Sequence, residues 1–136
     1  MFATADDLEE AYYRAFEAAD IEAMLALWTN APDAVCIHPE GRVLRGPEAV
    51  AASWRMLFRD GPGLRFARRT VNRADTADLV VHTLLEEVSV AGEPQPRGTV
   101  LATNVYRRTA AGWEMLMHHA SPHRAETPPA PGGAVH

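Results

Sequence analysis

At 136 residues with one cysteine, the chain is sized for a single domain with one core, and it can form neither an internal disulfide nor a multi-cysteine zinc site. Hydrophobic residues make up 47% and charged residues 23%, the balance of a globular domain, and no run approaches the roughly 18 apolar residues that span a bilayer. A formal charge of −5 speaks against a nucleic-acid partner, and Met1 to Asp7 lack the basic and apolar regions of a secretory signal, so a cytoplasmic protein with no membrane partner is expected.

Thr4 to Ala19 reads as a helix. Thr4 is placed to cap it, Asp6 and Asp7 suit the positive end of the helix dipole, and Leu8, Tyr12, Ala15 and Ala19 recur at helical spacing beside Phe16. Tyr12 falls on that buried stripe; Tyr13, about 100° further round, is expected nearer the edge. Asp20 caps a second, short helix, Ile21 to Trp28. The stretch Ala34-Val35-Cys36-Ile37-His38 alternates and then stops at Pro39 and Gly41, so it reads as a short strand with Cys36 and His38 on one face. Arg42 to Arg45 reads as another short strand. Gly46-Pro47-Glu48 opens a third helix that carries Val50, Trp54, Leu57 and Phe58 inward and ends at Asp60-Gly61.

After Gly63 the period changes from near 3.6 to near 2. Leu64 to Ala74, Leu79 to Val90, Gly98 to Thr109 and Trp113 to Ser121 are four long strand candidates, and the short turn-like separators between them predict antiparallel hairpins. The expected fold is therefore α+β: three N-terminal helices packed on a strongly curved antiparallel sheet that encloses a cone-shaped cavity. A single domain over 1–123 is expected, with a flexible tail rich in proline and glycine over 124–136. Val100 to Tyr106 carries apolar residues at both parities, so its second face is expected to be covered by another copy of the chain, a homodimer through the sheet. Arg65, Arg68, Arg69 and Arg73 read as the solvated face of a strand.

Several side chains stand out as candidates for chemistry. His38 ends its strand just before a turn, where a side chain is held firmly and still meets a ligand. Asn104 lies within a strand, where asparagine is depleted, so either a cavity or a structural hydrogen bond must explain it. Tyr12 is either a core tyrosine or a pocket hydroxyl. Trp28, Trp54 and Phe58 can supply the apolar wall that suits a hydrophobic ligand. On the last strand Met117 and His119 share one face and Leu116 and His118 the other, so a regular strand turns only one histidine inward. Alternation alone leaves open which way His82, Leu84, Glu86 and Val88 face. Cys36, His38 and His119 could in principle build a nitrogen and sulfur metal site; without a dense ligand motif, no metal and no other cofactor is expected.

The order of elements and several local motifs, Asp20-Ile21-Glu22-Ala23, His38-Pro39 before Gly41, Gly46, and Asn104-Val105-Tyr106-Arg107 before Gly112, resemble a known family. It is the superfamily of nuclear transport factor 2, the steroid delta-isomerases, the SnoaL polyketide cyclases and the association domain of calcium/calmodulin-dependent kinase. The resemblance runs from about Leu8 to Ser121. It implies the NTF2-like cone-shaped barrel and a homodimer. Residue by residue, Tyr12 stands at the place of the isomerases' catalytic tyrosine, His38 at that of their general base and Asn104 at that of their second oxyanion donor. The register of the resemblance turns His119 inward, and Trp28, Trp54, Phe58, Met117 and His119 are expected to line the pocket. The implied activity is isomerase-type or cyclase-type proton transfer next to a carbonyl of a small hydrophobic ligand, with His38 as base. The alternative is a non-catalytic ligand-binding or association module.

Overall fold

The computed structural model describes residues 1–124. The expected tail over 124–136 thus lies, beyond its first residue, outside the described residues. Helix α1 (Ala5–Ala18) is capped as its sequence predicts, with the Asp7 N–H donating to Thr4 Oγ1 at 3.0 Å. Helix α2 (Ile21–Leu27) begins the same way, the Ala23 N–H donating to Asp20 Oδ1 at 3.1 Å. Each such cap is worth about 1 kcal/mol. Strands β1 (Val35–Ile37) and β2 (Val43–Arg45) form a hairpin closed at Gly41, whose N–H donates to the His38 carbonyl at 2.8 Å and whose φ of 95° suits glycine. Helix α3 (Pro47–Asp60) follows with proline in its first turn. Strands β3 (Leu64–Asp75), β4 (Leu79–Val90), β5 (Gly98–Thr109) and β6 (Gly112–Pro122) then run as a meander.

The six strands form one sheet in the order β2-β1-β6-β5-β4-β3. The sheet is mixed, which corrects the expectation of a purely antiparallel one. Short loops force antiparallel pairing only between consecutive strands; β1 meets β6 from far along the chain, and that pair is parallel. A second departure matters for the site. Val105 opposes Met117 while Tyr106 opposes Met115, so Leu116 is an extra residue, a bulge that reverses the inward parity of β6. Met115 is therefore inward before the bulge, and His118 and Ala120 are inward after it, all three buried.

The three helices lie on the concave face of the sheet. Tyr12, Tyr13, Trp54, Tyr106 and Leu8 are among the largest fully buried side chains. Tyr13 at the helix edge is a correction: it is 1% exposed because α1 crosses the sheet with two flanks covered, and its ring packs on Phe66 with the Arg68 guanidinium 4.3 Å from the ring centre. Arg68 and Arg73 reach back to Glu10 and Asp6 of α1 at 2.9 Å each, exposed pairs that contribute at most about 1 kcal/mol. On the opposite, convex face the pairs Val81↔Val105, Leu85↔Leu101 and Val105↔Met117 align half-buried apolar side chains. Among the described residues no helix is long and apolar enough to cross a membrane.

Candidate functional site

Helix α3, the β1–β2 hairpin and the concave ends of β3 to β6 surround a half-open cavity of about 800 Å³. Its wall is largely apolar, with Phe16, Leu57, Leu64, Phe66, Val88 and Ala120. The polar groups set into that wall are His38, Ser53, Glu86, Thr99 and His118. Glu40, Arg42, Asp60 and Arg97, all exposed, line it as well. An apolar cavity with a few convergent polar groups is the usual form of a small-molecule site.

His38 is held at the end of β1. Its Nε2 lies 3.1 Å from Ser53 Oγ, and the Ser53 hydroxyl donates to the Val50 carbonyl at 2.8 Å. With its only proton committed, Ser53 can only accept from the ring, so Nε2 carries the hydrogen and Nδ1 holds the lone pair of neutral His38. The Trp54 ring stands edge-on to the imidazole, 5.0 Å between centres. Burial lowers the His38 pKa below its ordinary 6.5, with Glu40 opposing and Arg42 adding to that shift. The neutral base form therefore prevails at pH 7. Cys36 lies 3.6 Å from the same Nε2, but burial pushes its thiol up to about 12, so it stays protonated and is a poor nucleophile.

A second set of groups forms a directed chain. His118 Nδ1 lies 2.6 Å from Asn104 Oδ1, Asn104 Nδ2 donates to the Tyr13 hydroxyl at 3.1 Å, and Tyr13 donates to Glu86 Oε2. An amide oxygen can only accept, so His118 Nδ1 bears a proton and leaves Nε2 as the basic nitrogen. Burial, with the His38 and His119 charges adding, holds the His118 pKa down to about 3. Burial pushes the Glu86 carboxyl up to about 7. Both ends of this chain, His118 and Glu86, line the cavity; the middle is sealed in the core.

Of the residues expected to act, His38 lines the cavity. Tyr12 is fully buried behind the wall, its hydroxyl without a hydrogen-bond partner among the described residues, and burial raises its pKa. Asn104 is fully buried too, with its amide engaged by Tyr13 and His118. Neither presents a donor at the cavity surface. Trp54 and Phe58 stand one layer back, and Trp28 lines a separate pocket of about 580 Å³ with Leu25, Val50 and Arg55. Met117 and His119 face away from the cavity, which corrects their expected place in the lining: the bulge at Leu116 turns His118 inward in their stead.

The residues that sequence reasoning missed are Glu86, His118, Tyr13 and Ser53. One signal was available. His82, Asn104 and His118 align across β4, β5 and β6, a row of polar side chains that makes sense only on a face with partners for them. Asp6, Glu9 and His82 also meet within 4.8 Å of one another. That cluster is closed by its own bonds, with Glu9 accepting from Tyr106 at 2.6 Å and paired with His82 at 2.9 Å, and Arg73 seated on Asp6.

Residues 6–125 match the SnoaL-like domain family. Among solved structures, a protein from Thiobacillus denitrificans provisionally named as a calcium/calmodulin-dependent protein kinase type II association domain is 41% identical, with a TM-score of 0.86 over 91% of this chain and 98% of that one. A protein from Streptomyces avermitilis provisionally named as a dehydratase of the NTF2-like family is 32% identical, with a TM-score of 0.79 over 88% of this chain and 94% of that one. A ketosteroid isomerase-like protein from Erwinia carotovora atroseptica, 21% identical with a TM-score of 0.70 over 88% of this chain and 94% of that one, shares the fold. Among curated proteins, the F-box protein SKIP8 of Arabidopsis thaliana is 32% identical over 74% of the chain. The chain spans 42% of the length of that relative.

Proposed function

The chain belongs to the SnoaL-like domain family, and on that premise we propose that it is an enzyme that moves a proton next to the carbonyl of a small apolar compound, with His38 as the base. One observation carries the proposal: a histidine whose neutral form is favoured, oriented by Ser53, on the wall of an apolar cavity of about 800 Å³. A neutral imidazole near pH 7 is matched to abstracting an acidified C–H proton, and positioned bases of this kind contribute about 10² to 10⁴ in rate. The dehydratase name of the Streptomyces relative is in keeping with such proton transfer. The test is deuterium uptake at the α-carbon of 2-tetralone in D2O, followed by NMR. The protein is expected to accelerate uptake over buffer and to be inhibited by 2-naphthol, a flat mimic of the enol. Equal rates with and without protein, across a panel of apolar ketones, contradict the proposal.

We also propose that the convex sheet face is covered by a second copy of the chain. Leu85, Leu101, Val105 and Met117 form a continuous apolar stripe there, while Arg65 and Arg69 lie on the same face as Glu87, so a two-fold copy can set opposite charges together. The name of the Thiobacillus relative, an association domain, supports assembly through this fold. Light scattering after gel filtration should find a dimer for the parent chain and a monomer for Leu101→Arg. A monomeric parent at tens of micromolar overturns this reading.

A further inference from the structure

Among the described residues Glu86 is the one acidic side chain set deep in the cavity wall, and it is 3% exposed. Its Oε2 is taken by the Tyr13 hydroxyl, so Oε1 is the oxygen left to hold a proton for a ligand. Every hydrogen bond in the chain behind it points the same way, from His118 through Asn104 and Tyr13 to Glu86, so the carboxyl is fixed in place by three side chains. The cavity thus offers two proton-transfer groups in opposite states: His38 with a free lone pair, and Glu86 as a proton carrier.

We propose that Glu86 is a general acid that protonates a hydroxyl leaving group, and that the ligand class of the cavity is an apolar β-hydroxy carbonyl compound from which water is eliminated. The proposal rests on the reading of His38 as base. His38 Nδ1 takes the proton from the carbon between the carbonyl and the carbinol. The C–H electron pair becomes the new C=C bond, and the C–O bond to the hydroxyl breaks with its electrons on oxygen. The Glu86 proton joins that oxygen, and water leaves. His38 is then imidazolium and Glu86 carboxylate; a proton passes from one to the other through solvent and restores both. No oxidant or reductant is needed. The acid is required because hydroxide is a poor leaving group, whereas exchange of the α-proton alone needs only the base.

The groups that face Glu86 decide when it carries its proton. Burial favours the neutral form; the Tyr13 hydroxyl from α1 and Arg68 from β3 favour the carboxylate; Glu9 from α1 favours the neutral form again. Tyr12 on α1, Tyr106 on β5, and His38 and His118 on the cavity side are further titratable groups on the surrounding elements. Exposed Glu40, Arg42, Asp60 and Arg97 line the same cavity. The outcome is a carboxyl that titrates at about 7.

The test compares two probes on one protein. Elimination is followed as formation of the conjugated enone from 4-hydroxy-4-phenylbutan-2-one, and base function as deuterium uptake by 2-tetralone. The elimination rate should fall as pH rises through about 7, while exchange should not fall. Glu86→Gln should lower the ratio of elimination to exchange by at least about a hundredfold, the low end of what one positioned acid contributes. Tyr13→Phe, which removes a bond to the carboxylate, should move the alkaline fall to higher pH. Exchange without enone formation, or elimination that does not fall above neutrality, or a Glu86→Gln ratio like that of the parent, overturns the role of Glu86 and leaves His38 standing as base. Neither reaction with any probe overturns both.

Discussion

Replacing His38 by alanine is expected to lower α-proton exchange on an apolar ketone by about 10² to 10⁴, the contribution of one positioned base. The fold should survive. The side chain is 8% exposed, and its loss removes one hydrogen bond to Ser53 and an edge contact with Trp54, together about 1 to 2 kcal/mol. Urea unfolding of the variant separates the two effects: a cooperative transition at a slightly lower midpoint, with exchange near the buffer rate. His38→Gln keeps a partner for Ser53 but carries no base, and it should be as slow as the alanine variant. A variant that folds and exchanges at the parent rate removes His38 from the mechanism.

The second large effect is on stability against pH. His118 titrates at an ordinary 6.5 in the unfolded chain and near 3 in the folded one, so below 6.5 the unfolded chain binds a proton that the folded chain refuses. Its contribution is complete above 6.5 and shrinks as pH falls through that window. Glu86 runs the other way: its carboxyl moves from 4.5 up to about 7, so between those values the folded chain holds a proton that the unfolded chain has released. Its contribution is complete below 4.5 and shrinks as pH rises to 7. Each group alone gives a slope of about 1.4 kcal/mol per pH unit. Between 4.5 and 6.5 the slopes cancel in the parent. Glu86→Gln should therefore gain stability relative to the parent by about that slope as pH rises from 4.5 to 7, read from urea unfolding at several pH values. A difference that does not change with pH contradicts a neutral, buried Glu86.

Much of the fold was legible in the chain, and the reasons are local. Thr4 and Asp20 cap helices because short polar side chains at those positions reach the first free amides. Pro39 and Gly41 end a strand because neither suits its continuation. The long strands from β3 to β6 follow from a period near 2 and from runs rich in β-branched residues between turn-like separators. The site was legible only where a local rule placed it, as for His38 before its proline. Tyr13 escaped because helix periodicity marks one stripe, while α1 is covered along two flanks. His118 was exchanged with His119 because a single extra residue, Leu116, reverses parity without any mark in composition. The face of Glu86 cannot be read from the sequence because Leu84 and Leu85, and Val80 and Val81, make both faces of β4 look alike. Asparagine within a strand marks Asn104 as a residue in need of partners; those partners, Tyr13 and His118, come from an element 91 residues back and one 14 residues ahead, beyond any local pattern.

The most direct test of the account is a crystal structure of the protein with 2-naphthol bound. The ring is expected in the cavity against Phe66 and Leu57, with its oxygen within hydrogen-bond reach of Glu86 or His38. A ring bound on the convex face, or in the pocket beside Trp28 with the cavity empty, would contradict the assignment of the chemistry to this site.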